Sequence, residues 1–94
     1  MKTFSDLEFK PHPNSAPLHQ YGDLGIQSRI FFDNGFGASV VKGPHTYGGK
    51  DGLYELAVLD EDGHLCYTTQ ITNDVEGYLT EEDVTKLLIQ IQNL

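Results

Sequence analysis

One cysteine, no tryptophan and only six basic side chains stand among 94 residues. A single thiol, Cys66, excludes an internal disulfide. Fourteen acidic residues against six basic ones leave a formal net charge of −8 at pH 7. Such a chain repels nucleic-acid backbones and anionic membranes, so direct DNA or RNA binding is not expected. No apolar run approaches the roughly 18 residues of a membrane helix, and none of signal-peptide type opens the sequence, so a reducing cytoplasm is expected. The chain also lacks a Gly-x-Ser-x-Gly elbow and has no His pair at helical spacing. With one Cys and scattered His12, His19, His45 and His64, no metal site is expected. Cys66 lies mid-strand near His64, so a small Cys–His hydrolase is the enzymatic alternative, without the acid, base and nucleophile set that an active site needs. No cofactor is implied.

What remains is one small α+β domain, residues 1–94. Five Phe and five Tyr can anchor a core. Leu7 and Phe9 alternate with Asp6, Glu8 and Lys10, which predicts a short N-terminal edge strand ending at Pro11. Residues 11–24 hold three prolines and read as an extended loop. GIQSRIFF (25–32) and FGASVVK (36–42) flank Asp33-Asn34-Gly35 and predict a hairpin. A type I′ turn at Asn34-Gly35 sets Phe31 opposite Ala38, Arg29 opposite Val40 and Gln27 opposite Lys42. Ile26, Ser28, Ile30 and Phe32 then make the core face, with Gly37 leaving room for Phe32.

LYELAVL (53–59), the turn Asp60–Gly63 and HLCYTTQ (64–70) predict a second hairpin. A loop of two or four residues would place Tyr54, Leu56 and Val58 on one side with Leu65, Tyr67 and Thr69, leaving His64, Cys66 and Thr68 on the other. Thr80 caps a C-terminal helix over 80–93, with Asp83 as capping-box partner and three acids at the positive end of its dipole. Val84, Leu87, Leu88, Ile91 and Leu94 form the stripe that packs it on the sheet. The expected fold is thus an antiparallel sheet of four to five strands with one helix on one face.

Two surfaces are candidate binding sites. The loop GPHTYGGKDG (43–52) is not a phosphate-binding P-loop: Lys50 falls one place late, Asp51 replaces the Ser/Thr, and no helix follows. His45, Tyr47 and Lys50, with Arg29, still offer a donor, a ring and positive charge to a small anionic, nucleotide-like ligand. The structural alternative is a hairpin connection whose glycines serve its turns. Phe31 and Val40 beside Arg29 make a partly apolar face suited to a protein partner or a homodimer, unless the N-terminal strand or the Pro-rich loop covers it. Glu61, Asp62, Glu81 and Glu82 are the acids that could occupy a basic groove on another protein, although turn chemistry and the helix dipole also explain them.

The runs GIQSRIFFDNGFGASVVKGPHTYGG, GLYELAVL and ITNDVEGYLTEEDV resemble a family of small proteins encoded in bacteriophage and prophage genomes, over roughly residues 5–92. That family has no assigned activity, so no catalytic residues carry over. The resemblance implies a non-enzymatic accessory protein that binds a host factor, for instance in defence, or sequesters a host nucleotide signal. A minor virion component is the alternative it allows.

Overall fold

The structure, a computed structural model, describes residues 1–11, 25–66, 69, 71 and 75–94. It is an α+β fold: a five-stranded antiparallel sheet with one C-terminal helix. The strands are β1 (Lys10–Pro11), β2 (Ile26–Phe31), β3 (Gly37–Lys42), β4 (Tyr54–Leu59) and β5 (Val75–Leu79), in spatial order 1-2-3-4-5. The helix α1 spans Glu81–Gln92. No helix among the described residues is long and apolar enough to cross a membrane.

The start of α1 is the one the sequence predicts. The Asp83 N–H donates to Thr80 Oγ1 (3.1 Å), and the Thr80 N–H donates to Asp83 Oδ2 (3.0 Å). These bonds satisfy donors that the first helical turn cannot use itself. Val84, Leu88 and Ile91 are fully buried on the sheet, each contributing about 1.5–3 kcal/mol by burial. Leu94, expected on the same stripe, lies beyond the helix and is largely exposed.

The first hairpin differs from its expected register by one residue. Ile30 pairs with Ala38, Ser28 with Val40 and Ile26 with Lys42. The Phe32 N–H donates to Phe36 O (2.8 Å) and the Gly35 N–H to Phe32 O (3.3 Å). Gly35 has φ +87°, whereas Asn34 is not in the left-handed region. The loop is therefore three residues with one left-handed glycine, not a two-residue type I′ turn. An odd loop reverses the face of the returning strand. The core face of β2 stands as expected, but Ala38 and Val40 join it and are completely buried. Lys42 also moves to the helix side, its Nζ 4.8 Å from the centre of the Tyr54 ring. Gly37 makes room for Phe31 rather than Phe32: a Cβ there would lie 2.8 Å from Phe31 Cδ1.

The Asp60 turn repeats this geometry. The Asp60 N–H donates to His64 O (2.8 Å), and Gly63 has φ +82°. Leu59 bridges Leu65, so Leu65 faces away from the helix and is exposed, while Cys66 packs against the core. Tyr54, Leu56 and Val58 do face the helix, as expected. The Cys66 N–H donates to Val58 O (2.8 Å), and Val75 of β5 takes the next place, opposite Ala57. Two separate pieces of chain thus share one edge beside β4, Leu65 with Cys66 and the fifth strand Val75–Leu79, where the sequence predicts 64–70 alone. Tyr67, Thr68 and Gln70 of the expected strand, and residues 12–24 of the Pro-rich segment, lie outside the described residues.

The N-terminal segment covers the helix side. Its strand is Lys10–Pro11, at the sheet edge where a proline costs no ladder bond. Phe4, Phe9 and Tyr54 form an aromatic cluster with ring centres 5.1–5.7 Å apart. The Phe4 N–H donates to Thr85 Oγ1 (3.0 Å), and the Lys2 backbone exchanges two hydrogen bonds with the Gln92 amide. The same segment also flanks the Arg29–Phe31 face: Met1, Lys2 and Asp6 line a recess with Phe31, and Glu8, Lys10 and Pro11 line one with Arg29, while both side chains stay exposed.

Candidate functional sites

The register of β2, β3 and β4 sets out the sheet face opposite the helix in rows. Phe31, Gly37, Leu59 and Leu65 form one row; Arg29, Ser39, Ala57 and Val75 form the next. Leu59 is buried, whereas Phe31 and Leu65 at the ends of the row are 51% and 42% exposed. The exposed part of these two side chains is apolar area available to a partner. Val40, expected beside Phe31, is in the core and unavailable.

Arg29 belongs to this face. Its Nη2 donates to Gly63 O (2.6 Å), and its guanidinium lies 5.6 Å from the centre of the Phe31 ring. The arginine ties the Asp60 turn down over Phe31. Glu61 and Asp62 are exposed on that turn, and Glu61 Oε2 is 3.9 Å from where a Cβ on Gly35 would sit. The two hairpin turns are neighbours, so Asp33, Glu61 and Asp62 gather at the Phe31–Leu65 end. Asp60 is consumed by the turn itself, since its Oδ1 accepts from the N–H groups of Asp62 and His64.

Glu81 and Glu82 are elsewhere. Leu79, just before the helix, pairs with Tyr54 at the opposite end of β4 from Leu59. Six strand residues separate the two acidic groups by about 17–20 Å. Glu82 is also engaged with Lys86 (3.7 Å), an exposed pair of little energetic weight. Asp83 has its carboxyl held below the usual aspartate range, first by the Thr80 backbone N–H, then by the Thr80 side chain, with Lys86 adding to this and partial burial opposing it. The four expected interface acids are therefore two pairs on different ends, and only Glu61 and Asp62 accompany Phe31.

The 43–52 loop is a folded unit, not a slack connection. Thr46 Oγ1 donates to Gly43 O and accepts from the Gly43 N–H, both at 3.0 Å. The Leu53 N–H closes the loop onto Gly48 O (2.9 Å). The Tyr47 N–H donates to Glu55 Oε2 (3.0 Å), and the Tyr78 N–H donates to Tyr47 O (3.0 Å). Gly77 admits this docking, because a Cβ there would collide with Tyr47 Cβ. His45 and Lys50 line a recess of about 200 Å³ together with Tyr78. Tyr47 stands beside it, over Gly77. Arg29 is not part of this site.

Sequence reasoning missed Tyr78. It has φ +57° and is the only non-glycine residue in the left-handed region among those described. The residue is 61% exposed. The one available signal was Gly77, since a glycine inside a strand pattern marks a bulge, and the β4–β5 register does shift between Tyr54 and Leu56. Among the described residues, no group of three or more His, Cys, Asp and Glu side chains could hold a metal ion. No protein family, curated protein or solved structure matches this chain.

Proposed function

We propose that this chain is a non-enzymatic binding protein that blocks a partner protein through the end of its sheet carrying Phe31, Leu65, Glu61 and Asp62. The observation behind this reading is one surface where the two exposed apolar ends of a sheet row, Phe31 and Leu65, meet two acidic turns. Apolar ends supply the contact area of an interface, and rim charges steer the encounter and select the partner. The chemistry fits a basic protein segment that presents apolar anchors. Arg29, on this face, is already held by Gly63 O and the Phe31 ring. The resemblance to phage and prophage proteins suggests the setting: an accessory protein that occupies a host factor.

The test is affinity capture from bacterial lysate with the wild-type chain and two double variants, Phe31→Ser/Leu65→Ser and Glu61→Lys/Asp62→Lys. Circular dichroism confirms that each is folded. A partner that both variants lose, and that elutes with rising salt, supports the reading. Capture unchanged in either variant overturns it, as does an absence of any captured protein. Assembly of the wild-type chain into rings at high concentration would favour a virion component instead.

A further inference from the structure

We infer that the recess between the 43–52 loop and β5 binds a small anion carrying a planar ring, of the class of aromatic or nucleoside monophosphates. It lies on a different surface from the protein-docking end and draws on different residues.

The first observation concerns Tyr78. The bulge in β5 requires a left-handed residue at position 78, and glycine would adopt that conformation without strain. A tyrosine there carries the strain, yet the residue is 61% exposed, so more than half of it gains nothing by burial. Strained residues of this kind are held in place by their surroundings and cluster at binding sites. Here the surroundings are the Tyr78 N–H bond to Tyr47 O and the backbone of Gly48, where a Cβ would lie 2.8 Å from Tyr78 Cα. The fold thus fixes in one place a side chain that is more than half exposed.

The second observation is what shares the recess with that ring. Lys50 and His45 both line it. Lys50, like most of the basic side chains, has no carboxylate within 4.0 Å among the described residues. A lysine left unpaired there is open to an anion. Asp51 also lines the recess and limits how much negative charge it tolerates, which favours a single phosphoryl or carboxyl group over a polyphosphate. The size agrees. About 200 Å³ takes one such head group but does not enclose a nucleotide, so the ligand's ring rests outside, against the exposed face of Tyr78.

The test is a titration followed by amide chemical shifts, with phenyl phosphate and adenosine 5′-monophosphate as ring-bearing probes, and inorganic phosphate and adenosine as half-probes. Binding on the order of 1 mM is expected for the ring-bearing probes, with shifts centred on Gly48, Lys50 and Tyr78. Each half-probe should bind at least about fivefold more weakly, the worth of one stacking contact or one charge-assisted bond. Lys50→Ala should weaken the phosphates and leave adenosine unchanged. Tyr78→Gly, which removes the ring while relieving the backbone, should erase the advantage of phenyl phosphate over phosphate; Tyr78→Phe should keep it. The inference fails if no probe shifts these amides, if phosphate binds as well as phenyl phosphate, or if neither Lys50→Ala nor Tyr78→Gly alters the titration.

Discussion

Replacing Tyr78 by alanine and by glycine separates the ring from the backbone on which it stands. With 61% of the residue exposed, roughly 80 Å² of the side chain is in contact, worth about 2 kcal/mol. Both variants lose most of this. They differ in the backbone term. At φ +57° an L-residue carries about 1–2 kcal/mol of strain that glycine does not. Glycine also has more unfolded-state freedom to lose, about 0.5–1 kcal/mol. The net expectation is that Tyr78→Gly is more stable than Tyr78→Ala by about 0.5–1 kcal/mol, the reverse of the usual order in a strand. Glu76, exposed on the same strand, supplies the control: there glycine should fall below alanine by about 0.5–1 kcal/mol. Urea unfolding followed by far-ultraviolet circular dichroism measures both pairs. A shift of about 0.5 M in midpoint in opposite directions at the two positions is the expected result. Alanine equal to or above glycine at position 78 would show that the site is unstrained, and would remove the first support for the ligand recess.

Two further outcomes concern how the helix is tied in. Asn34 Nδ2 donates to Ile91 O (2.8 Å) and its Oδ1 accepts from the Phe36 N–H (3.1 Å), so it caps the end of α1 from the hairpin turn. Asn34→Ala should cost about 1–2 kcal/mol in urea unfolding, and Asn34→Asp at least as much at pH 7, because a carboxylate would face the negative end of the helix dipole. At the other end, Thr80→Ala should cost about 1 kcal/mol. The Asp83 carboxyl titrates lower in the folded chain than in the unfolded one. Its contribution is therefore complete above the unfolded value of about 3.9 and disappears as pH falls through the folded value. The urea midpoints of wild type and Asp83→Asn should differ at pH 7 and converge as pH falls below the unfolded value; a gap that widens in acid would contradict the assignment.

The helix and the core face of β2 were legible because their signals are local. A Thr-x-x-Asp cap, acids in the first turn and apolar spacing of three and four residues need no tertiary knowledge. The faces of the returning strands were not legible, and both failed for the same reason. Asp33-Asn34-Gly35 and Glu61-Asp62-Gly63 each end in glycine, which fits a two-residue turn and equally a three-residue loop whose last member is left-handed. The choice changes loop parity, and parity alone decides whether Ala38 and Val40 or Ser39 and Val41 face the helix. The shared Gly at the third place was the clue, because it asks for one positive φ rather than two. Strand β5 was hidden by its own site: Gly77 and the left-handed Tyr78 break the alternation that identifies a strand. The recess could not be read because His45 and Lys50 meet Tyr78 only when the loop folds onto that strand. Arg29 has the charge that such a recess needs, but its register places it beside Phe31 and Gly63 instead.

A chain of this length builds one core, and here the helix and the helix-facing side of the sheet use it up. Surfaces left for binding must then lie at the margins, and the meander places them apart. Phe31, Leu65 and the acidic turns sit at the Leu59 end of β4, whereas the 43–52 loop and Tyr78 sit at its Tyr54 end. Sites separated by about 17–20 Å with no shared partner should behave additively. Glu61→Lys/Asp62→Lys should therefore leave the phenyl phosphate titration unchanged, and Lys50→Ala should leave protein capture unchanged. Loss of both functions in either variant would mean that the two ends form one site, reached through a contact that the monomer does not contain, such as the packing of a second copy across the sheet.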